Sequence, residues 1–305
     1  VICAPMFIVS NPKLVVEQCK AGVVGSFPAL NARGEGVLNE WLTGIKAELV
    51  DDEATGGHPA PFAVNQIVHP SNNRLAEDIQ VCLSHQVPVF ITSLQAPPKE
   101  LVDGAHAYGG IVLHDVINVR HAKKALEAGV DGLILVAAGA GGHAGMLSPF
   151  ALVGEIRKFY DGLIVLSGSI ATGDAILGAQ AMGADLAYMG TRFICTTEAN
   201  ADAAYKQGII DAAANDVIYT NLFTGVHGNY LRQSIVTAGL DPDNLPVADK
   251  TKMNFGSGGN SAAKAWKDIW GVGQGVGLID DAPSTAELVD HLEMEYKAAR
   301  ARLAL

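Results

Sequence analysis

Positive charge is what this chain has little of: 21 Lys and Arg against 32 Asp and Glu give a formal net charge of -11. A protein that grips a phosphate backbone needs a basic face, so nucleic acid is excluded as a partner. Aromatic residues are also scarce, at 6%. The four cysteines, Cys3, Cys19, Cys82 and Cys195, never form a Cys-x-x-Cys pair, which removes zinc spacing and dithiol redox motifs. They read as reduced, buried thiols of a cytoplasmic protein. No basic segment precedes an apolar run at the start, so no secretory signal is read there. The chain begins at Val1, inside an apolar run, and what precedes it is left open. Gly132 to Gly154 carries no charged residue and is long enough to span a bilayer. Its small residues and Ser148-Pro149 describe a strand, a glycine-rich loop and a helix start instead, so no membrane contact is expected.

Glycine is abundant, at 34 of 305 residues, in a chain that is 49% hydrophobic. Abundant Gly with Ala, Val, Ile and Leu suits parallel strands buried under helices, where backbones approach closely. Eight short apolar runs recur at strand-plus-helix spacing: 1–4, 22–25, 62–65, 87–91, 110–113, 132–136, 163–166 and 186–189. Helix-like segments lie between them, at 12–20, 36–49, 74–85, 98–107, 119–128, 149–159, 173–182 and about 200–214. Ala128-Gly129-Val130-Asp131 and Met182-Gly183-Ala184-Asp185 repeat one joint: a helix stopped on glycine, then a short lead into a strand. Eight such units predict an α/β protein of the (β/α)8 barrel class, with an open doubly wound sheet as the alternative. The rhythm breaks after residue 200. The polar stretch at 201–265, with Asp241-Pro242-Asp243-Asn244 and Gly256-Ser257-Gly258-Gly259-Asn260, predicts a small helical insertion over the barrel mouth. The domain reading is therefore a barrel made of 1–200 plus 266–305, and a substrate or lid unit at 201–265. Leu288, Leu292, Tyr296 and Ala299 mark an amphipathic final helix.

In such a barrel the loops after the strands form the active face. Pro5, Met6, Asn65, Gln95, His114 and the run Gly139 to Gly145 therefore become candidates, as do the loops that follow the last two strands. Ser167-Gly168-Ser169 and Gly190-Thr191 combine turn glycines with hydroxyl donors, the composition of a phosphate cradle. The competing reading is that these glycines only make tight turns. Gly139-Ala140-Gly141-Gly142-His143-Ala144-Gly145 loosely fits a dinucleotide fingerprint, but that motif belongs after the first strand of its unit, and five strands precede this one. The run is read as a flexible loop that holds His143 over a flat ligand, for proton transfer or hydrogen bonding to an anion. His58, His69, His85, His106, His121 and His291 are read as solvated. His114 ends the fifth strand, facing either the pocket or the core, and His227 lies within reach of the mouth. No His-Glu-x-x-His and no carboxylate cluster is present, so no metal is expected.

Ala4-Pro5-Met6, Ala140 to Gly145, Ser167-Gly168-Ser169-Ile170, Met189-Gly190-Thr191-Arg192-Phe193 and Trp270 to Ile279 occur together and in order. This set resembles the nitronate monooxygenase (2-nitropropane dioxygenase) family of FMN-dependent barrels over nearly the whole chain. The resemblance implies FMN as cofactor. Ser167, Gly168, Ser169, Gly190 and Thr191 would hold its phosphate. Met6 and Asn65 would lie along the ribityl chain and ring, Gly141 and Gly142 would approach through backbone, and Gln274 would meet the ring. Pro5, Gln95 and His114 complete the candidate flavin-binding set, and His143 matches the catalytic histidine. The implied reaction is oxidation of nitronates or nitroalkanes with O2 to carbonyl compounds and nitrite. The implied partners are that small anionic substrate and O2, and a homodimer is compatible with it. Two departures stand out: Gly139, where many members have Glu, and Asp115, where some have Lys. The alternatives are an FMN-dependent NAD(P)H:quinone or enoyl-[acyl carrier protein] reductase and, more remotely, a redox-silent lyase or isomerase of sugar phosphates.

Overall fold

The computed structural model describes residues 1–248 and 268–304. The glycine-serine run 256–260, and with it part of the expected insertion, lies outside the described residues.

Eight parallel strands form one sheet: β1 (Ile2–Cys3), β2 (Gly25–Pro28), β3 (Phe62–Val68), β4 (Val89–Leu94), β5 (Ile111–Val116), β6 (Gly132–Val136), β8 (Leu163–Ser167) and β9 (Leu186–Met189). The spatial order is β1-β9-β8-β6-β5-β4-β3-β2. A parallel bridge between Ile2 and Val24 joins the two ends, with the Cys3 amide donating to the Val24 carbonyl at 2.8 Å. The sheet thus curls into the expected (β/α)8 barrel. Helices α1 (Pro12–Lys20), α2 (Val37–Ala54), α3 (Leu75–Ser84), α4 (Lys99–His106), α5 (Val119–Glu127), α6 (Pro149–Arg157) and α7 (Gly173–Ala181) follow the first seven strands. The last strand leads into the short α8 (Thr191–Ile194), and the C-terminal helix Thr285–Arg302 packs against α7 and α1.

Local chemistry sets these boundaries. Asn11, Asn118 and Thr172 cap α1, α5 and α7 by accepting from the amides of Leu14, His121 and Ala175. Ser284 and Glu287 close a reciprocal capping box on the C-terminal helix. Gly129 and Gly183 stop α5 and α7 at φ +87° and +106°, a region that L side chains avoid. The aspartate after each stop has a use that the pattern alone did not disclose. Asp131 brackets Val112, donating its amide to that carbonyl and accepting that amide on Oδ2; Asp185 does the same to Ile164. The repeated joint therefore sets the register of one strand against the next.

The second strand begins at Gly25, three residues later than its apolar run suggests. Gly22, at φ +85°, is still closing α1, and Val24 makes only the bridge to Ile2. Two apolar layers result. Ile91, Leu113, Ile134 and Val165 pack inside the barrel, and a larger layer including Phe27, Phe90, Leu133 and Leu152 fills the space under the helices. All four thiols are buried. Among the described residues no helix is long and apolar enough to cross a membrane.

The insertion over the mouth carries strands as well as helices. Beside α9 (Ala203–Ile210) and α10 (Arg232–Thr237), β10 (Val217–Thr220) and β11 (Gly228–Leu231) form an antiparallel sheet with β7 (Gly142–His143). The glycine-rich run after β6 is thus a paired strand at its histidine rather than the flexible loop expected. Glycine permits this pairing: a Cβ on Gly228 would lie 2.7 Å from the Gly142 carbonyl oxygen.

Candidate active site

A cavity of about 930 Å³ opens at the C-terminal ends of the strands, beneath the insertion. Pro5, Met6, Asn65, Gly141, Gly142, His143, Ser167, Gly168, Ser169, Gly190 and Thr191 all line it. Residues separated by up to 186 positions in sequence share one space because every strand delivers its end to the same face.

Three of the candidates do not reach this cavity. Gln95 is exposed on the loop after β4. His114 is buried, its Nδ1 lying 2.7 Å from the Thr92 hydroxyl, and burial lowers its pKa to about 4. It belongs to the core under the helices, since strand alternation turns it away from the barrel interior that Leu113 faces. Gln274 is exposed and lies against Gly139 rather than on the cavity, its amide donating to the Gly139 carbonyl at 2.9 Å. Conversely His121, read as solvated, lines the cavity. His227 is exposed and stacks on Tyr219.

The loop after β8 has rare backbone conformations. Gly168 lies at φ +136°, and Ser169, which has a Cβ, is held at φ +58°. Their partner is Gly139, whose carbonyl accepts from the amides of both Ser169 and Gln274. A Cβ on Gly139 would meet the Ser169 hydroxyl, which would have to turn away, and at φ +84° any L residue such as glutamate is strained. Glycine, the first departure from the family pattern, suits this backbone. Thr191 Oγ1 accepts from the Gly273 amide at 2.9 Å, tying the segment after Trp270 to the loop after β9. Glycines at 139, 141, 168, 190 and 273 let these segments close on one another. The result is a neutral wall of hydroxyls and backbone beside the cavity, a donor set that fits a phosphate.

His143 lines the same cavity. Its backbone is fixed by β7 pairing with β11, His143 opposite Gly228, and its Nε2 lies 2.8 Å from Thr224 Oγ1. Desolvation lowers its pKa to about 4, so the imidazole is neutral at physiological pH. Thr224 was not identifiable in advance, because a lone threonine in a polar stretch carries no pattern.

Asp115, the second departure, also lines the cavity. Ser93 Oγ donates to its Oδ2 at 2.6 Å, and Asn65 Nδ2 donates to Ser93 Oγ at 2.8 Å. Its Oδ1 is buried without a hydrogen-bond partner, and burial raises its pKa from 3.8 to about 7. At this position the chain therefore has a neutral acid, not a cation, below neutrality. A carboxyl with a raised folded pKa favours the fold fully below pH 4, and that contribution is lost as pH rises through about 7. The full shift corresponds to about 4 kcal/mol, and water reaching the cavity wall reduces it to about 1–3 kcal/mol. Asp115→Asn is expected to abolish this part of the pH dependence. Thermal unfolding from pH 4 to pH 8 checks it, and a variant that loses as much stability as the parent over that range contradicts the assignment.

Among the described residues no group of three or more His, Cys, Asp or Glu is placed to hold a metal. The fold and its mouth define a barrel enzyme that binds its ligand over the strand ends. A family model described as nitronate monooxygenase matches residues 45–295. Over 97% of its length the chain is 28% identical to a nitronate monooxygenase of Paraburkholderia phytofirmans, of which it covers 92%. Its fold is shared with a structure titled as nitroalkane oxidase from Streptomyces ansochromogenes, at TM-score 0.79 and 23% identity, covering 99% of this chain and 97% of that one. FabK from Thermotoga maritima shares it too, at TM-score 0.78 and 23% identity, covering 99% and 94%. The chain belongs to the nitronate monooxygenase family and is an oxidoreductase.

Proposed function

We propose that this enzyme oxidises nitronates, and the nitroalkanes from which they form, with O2 to carbonyl compounds and nitrite, using FMN bound at the cavity. One observation carries the reading: a neutral, desolvated His143 and the glycine-hydroxyl wall of 167–169 and 190–191 line the same cavity. FMN supplies the acceptance of electrons from the substrate and their passage to O2. Ser167, Gly168, Ser169, Gly190 and Thr191 hold its phosphate, with Gly141 and Gly142 leaving room for a ring beside the backbone. Pro5, Met6 and Asn65 lie along the remaining wall. In this reading the barrel segments 1–200 and 266–305 hold the cofactor. The stretch from 201 covers the substrate side, where Tyr205 and Val226 line the cavity.

His143 has two tasks. Toward a nitronate, the ring donates a hydrogen bond to a nitro oxygen once its substrate-facing nitrogen has taken up a proton, a form that the anion stabilises. Toward a neutral nitroalkane, its lone pair takes the α-proton, and the anion so formed pairs with the imidazolium. The base form is lost as pH falls through about 4 rather than through the ordinary histidine value of 6.5. The acid limb of kcat/KM for nitroalkanes is therefore expected near pH 4, with a plateau from pH 6 to 8. A limb near 6.5 contradicts a desolvated base.

The visible spectrum of the purified protein, followed by anaerobic mixing with a nitronate and separately with NAD(P)H, tests the function. The expected result is a yellow protein bleached by the nitronate. Bleaching by NAD(P)H alone points to a quinone or enoyl reductase, and a protein that stays colourless with added FMN overturns the reading.

A further inference from the structure

We propose that Thr224 is a positioning residue for His143, holding the imidazole in one orientation with its hydrogen on Nε2 and its lone pair on Nδ1. This rests on the reading of His143 as the group that takes the substrate proton. Thr224 is 7% exposed and lies in the connection between β10 and β11, the strand that pairs with β7. Its hydroxyl has one hydrogen, which we place toward the Val226 carbonyl at 3.0 Å, while the Val226 amide donates to the same oxygen at 3.3 Å. With that hydrogen on Val226, the oxygen accepts from the imidazole at 2.8 Å and Nε2 carries the ring hydrogen. In a neutral ring the lone pair then falls to Nδ1.

The arrangement clamps the histidine at both ends. Strand pairing holds the backbone, with Gly142 opposite Asn229 and the Ala144 amide donating to the His227 carbonyl at 3.2 Å. Thr224 holds the far end of the ring. A base that must meet a C–H bond loses rate steeply when its lone pair is misdirected, because the other tautomer presents an N–H where the proton must arrive. A nitronate has already lost that proton, so its oxidation does not call on the lone pair. Thr224 should therefore matter for nitroalkanes far more than for nitronates.

The test uses the holoenzyme and Thr224→Val, which keeps the shape and removes the hydroxyl, with Thr224→Ser as the conservative variant and Thr224→Ala in reserve should the valine variant not fold. Thr224→Val is expected to lower kcat on a nitroalkane by about 10–100-fold. Turnover of the preformed nitronate should stay within about threefold, and Thr224→Ser should recover most of the loss. Independently of turnover, the ¹⁵N shifts of the His143 ring in histidine-labelled protein at pH 7 should report Nε2–H in the parent and a mixture of tautomers in Thr224→Val. An Nδ1–H tautomer in the parent overturns the proposal, as does equal loss on both substrates or no loss on either. If the parent oxidises neither substrate, the reading of the site falls, and the proposal with it.

Discussion

His143→Ala is expected to lower kcat/KM for nitroalkanes by about 10³-fold or more while leaving bound FMN in place. The variant removes the one neutral imidazole at the cavity wall that also sits on a paired strand. General-base catalysis by a positioned side chain is worth about 10²–10⁴-fold, and no neighbour replaces it. His121 is the other histidine at the cavity, but it rides on α5. Asp115 is already engaged by Ser93. The phosphate wall does not use the imidazole, so flavin content should match the parent. Nitronates should lose less, by about 10-fold, because only a hydrogen bond to the anion disappears. Steady-state kinetics on both substrates, with flavin absorbance per protein, check the result. Loss of flavin with activity restored by added FMN would make His143 a cofactor ligand instead.

Gly168→Ala is expected to empty the site of flavin, raising the FMN dissociation constant by about 100-fold or more. Two costs act together at this position. At φ +136° an L residue is strained whatever the space, and the new Cβ would stand 2.7 Å from the Ala138 carbonyl oxygen. Backbone cannot yield as a side chain tip does, so the loop 167–169 must move, and with it the hydroxyls that face the phosphate. A shift of about 1 Å is enough to break such contacts. Gly178→Ala is the control: it lies inside α7 with nothing within 4 Å of the added Cβ, so it should leave flavin binding unchanged and stabilise the helix by about 0.5–1 kcal/mol. Fluorescence titration of each variant with FMN measures the difference. Parent-like affinity in Gly168→Ala would remove that loop from the phosphate site.

The barrel was legible because its information is local. Each strand is a run of five or so apolar residues, and the stops at Gly129 and Gly183 are written in the residue itself, whose missing side chain permits positive φ. The helix caps at Asn11, Asn118 and Thr172 belong to the same class. Where residues at strand ends gather was also legible, since the rule that they share one face holds for any chain with this order of elements. For that reason Met6, Asn65, Gly141, His143, Ser169 and Thr191 come together although no pair of them is close enough in sequence to show it, apart from Gly141 and His143.

What only the tertiary structure decided is direction and partnership. His114 and Asp115 are adjacent at the end of β5, yet strand alternation sends His114 into the core beside Thr92 and Asp115 to the cavity wall beside Ser93. Gln274 meets Gly139 through its amide and side chain instead of lining the cavity. The strand at Gly142–His143 exists only because β11, some 85 residues later, lies alongside it, and Thr224 reaches the imidazole across the same pairing. Backbone conformation is set by neighbours in sequence, and this chain states it plainly. The partner of a side chain is set by whatever the closed barrel brings to it, and that depends on every strand at once.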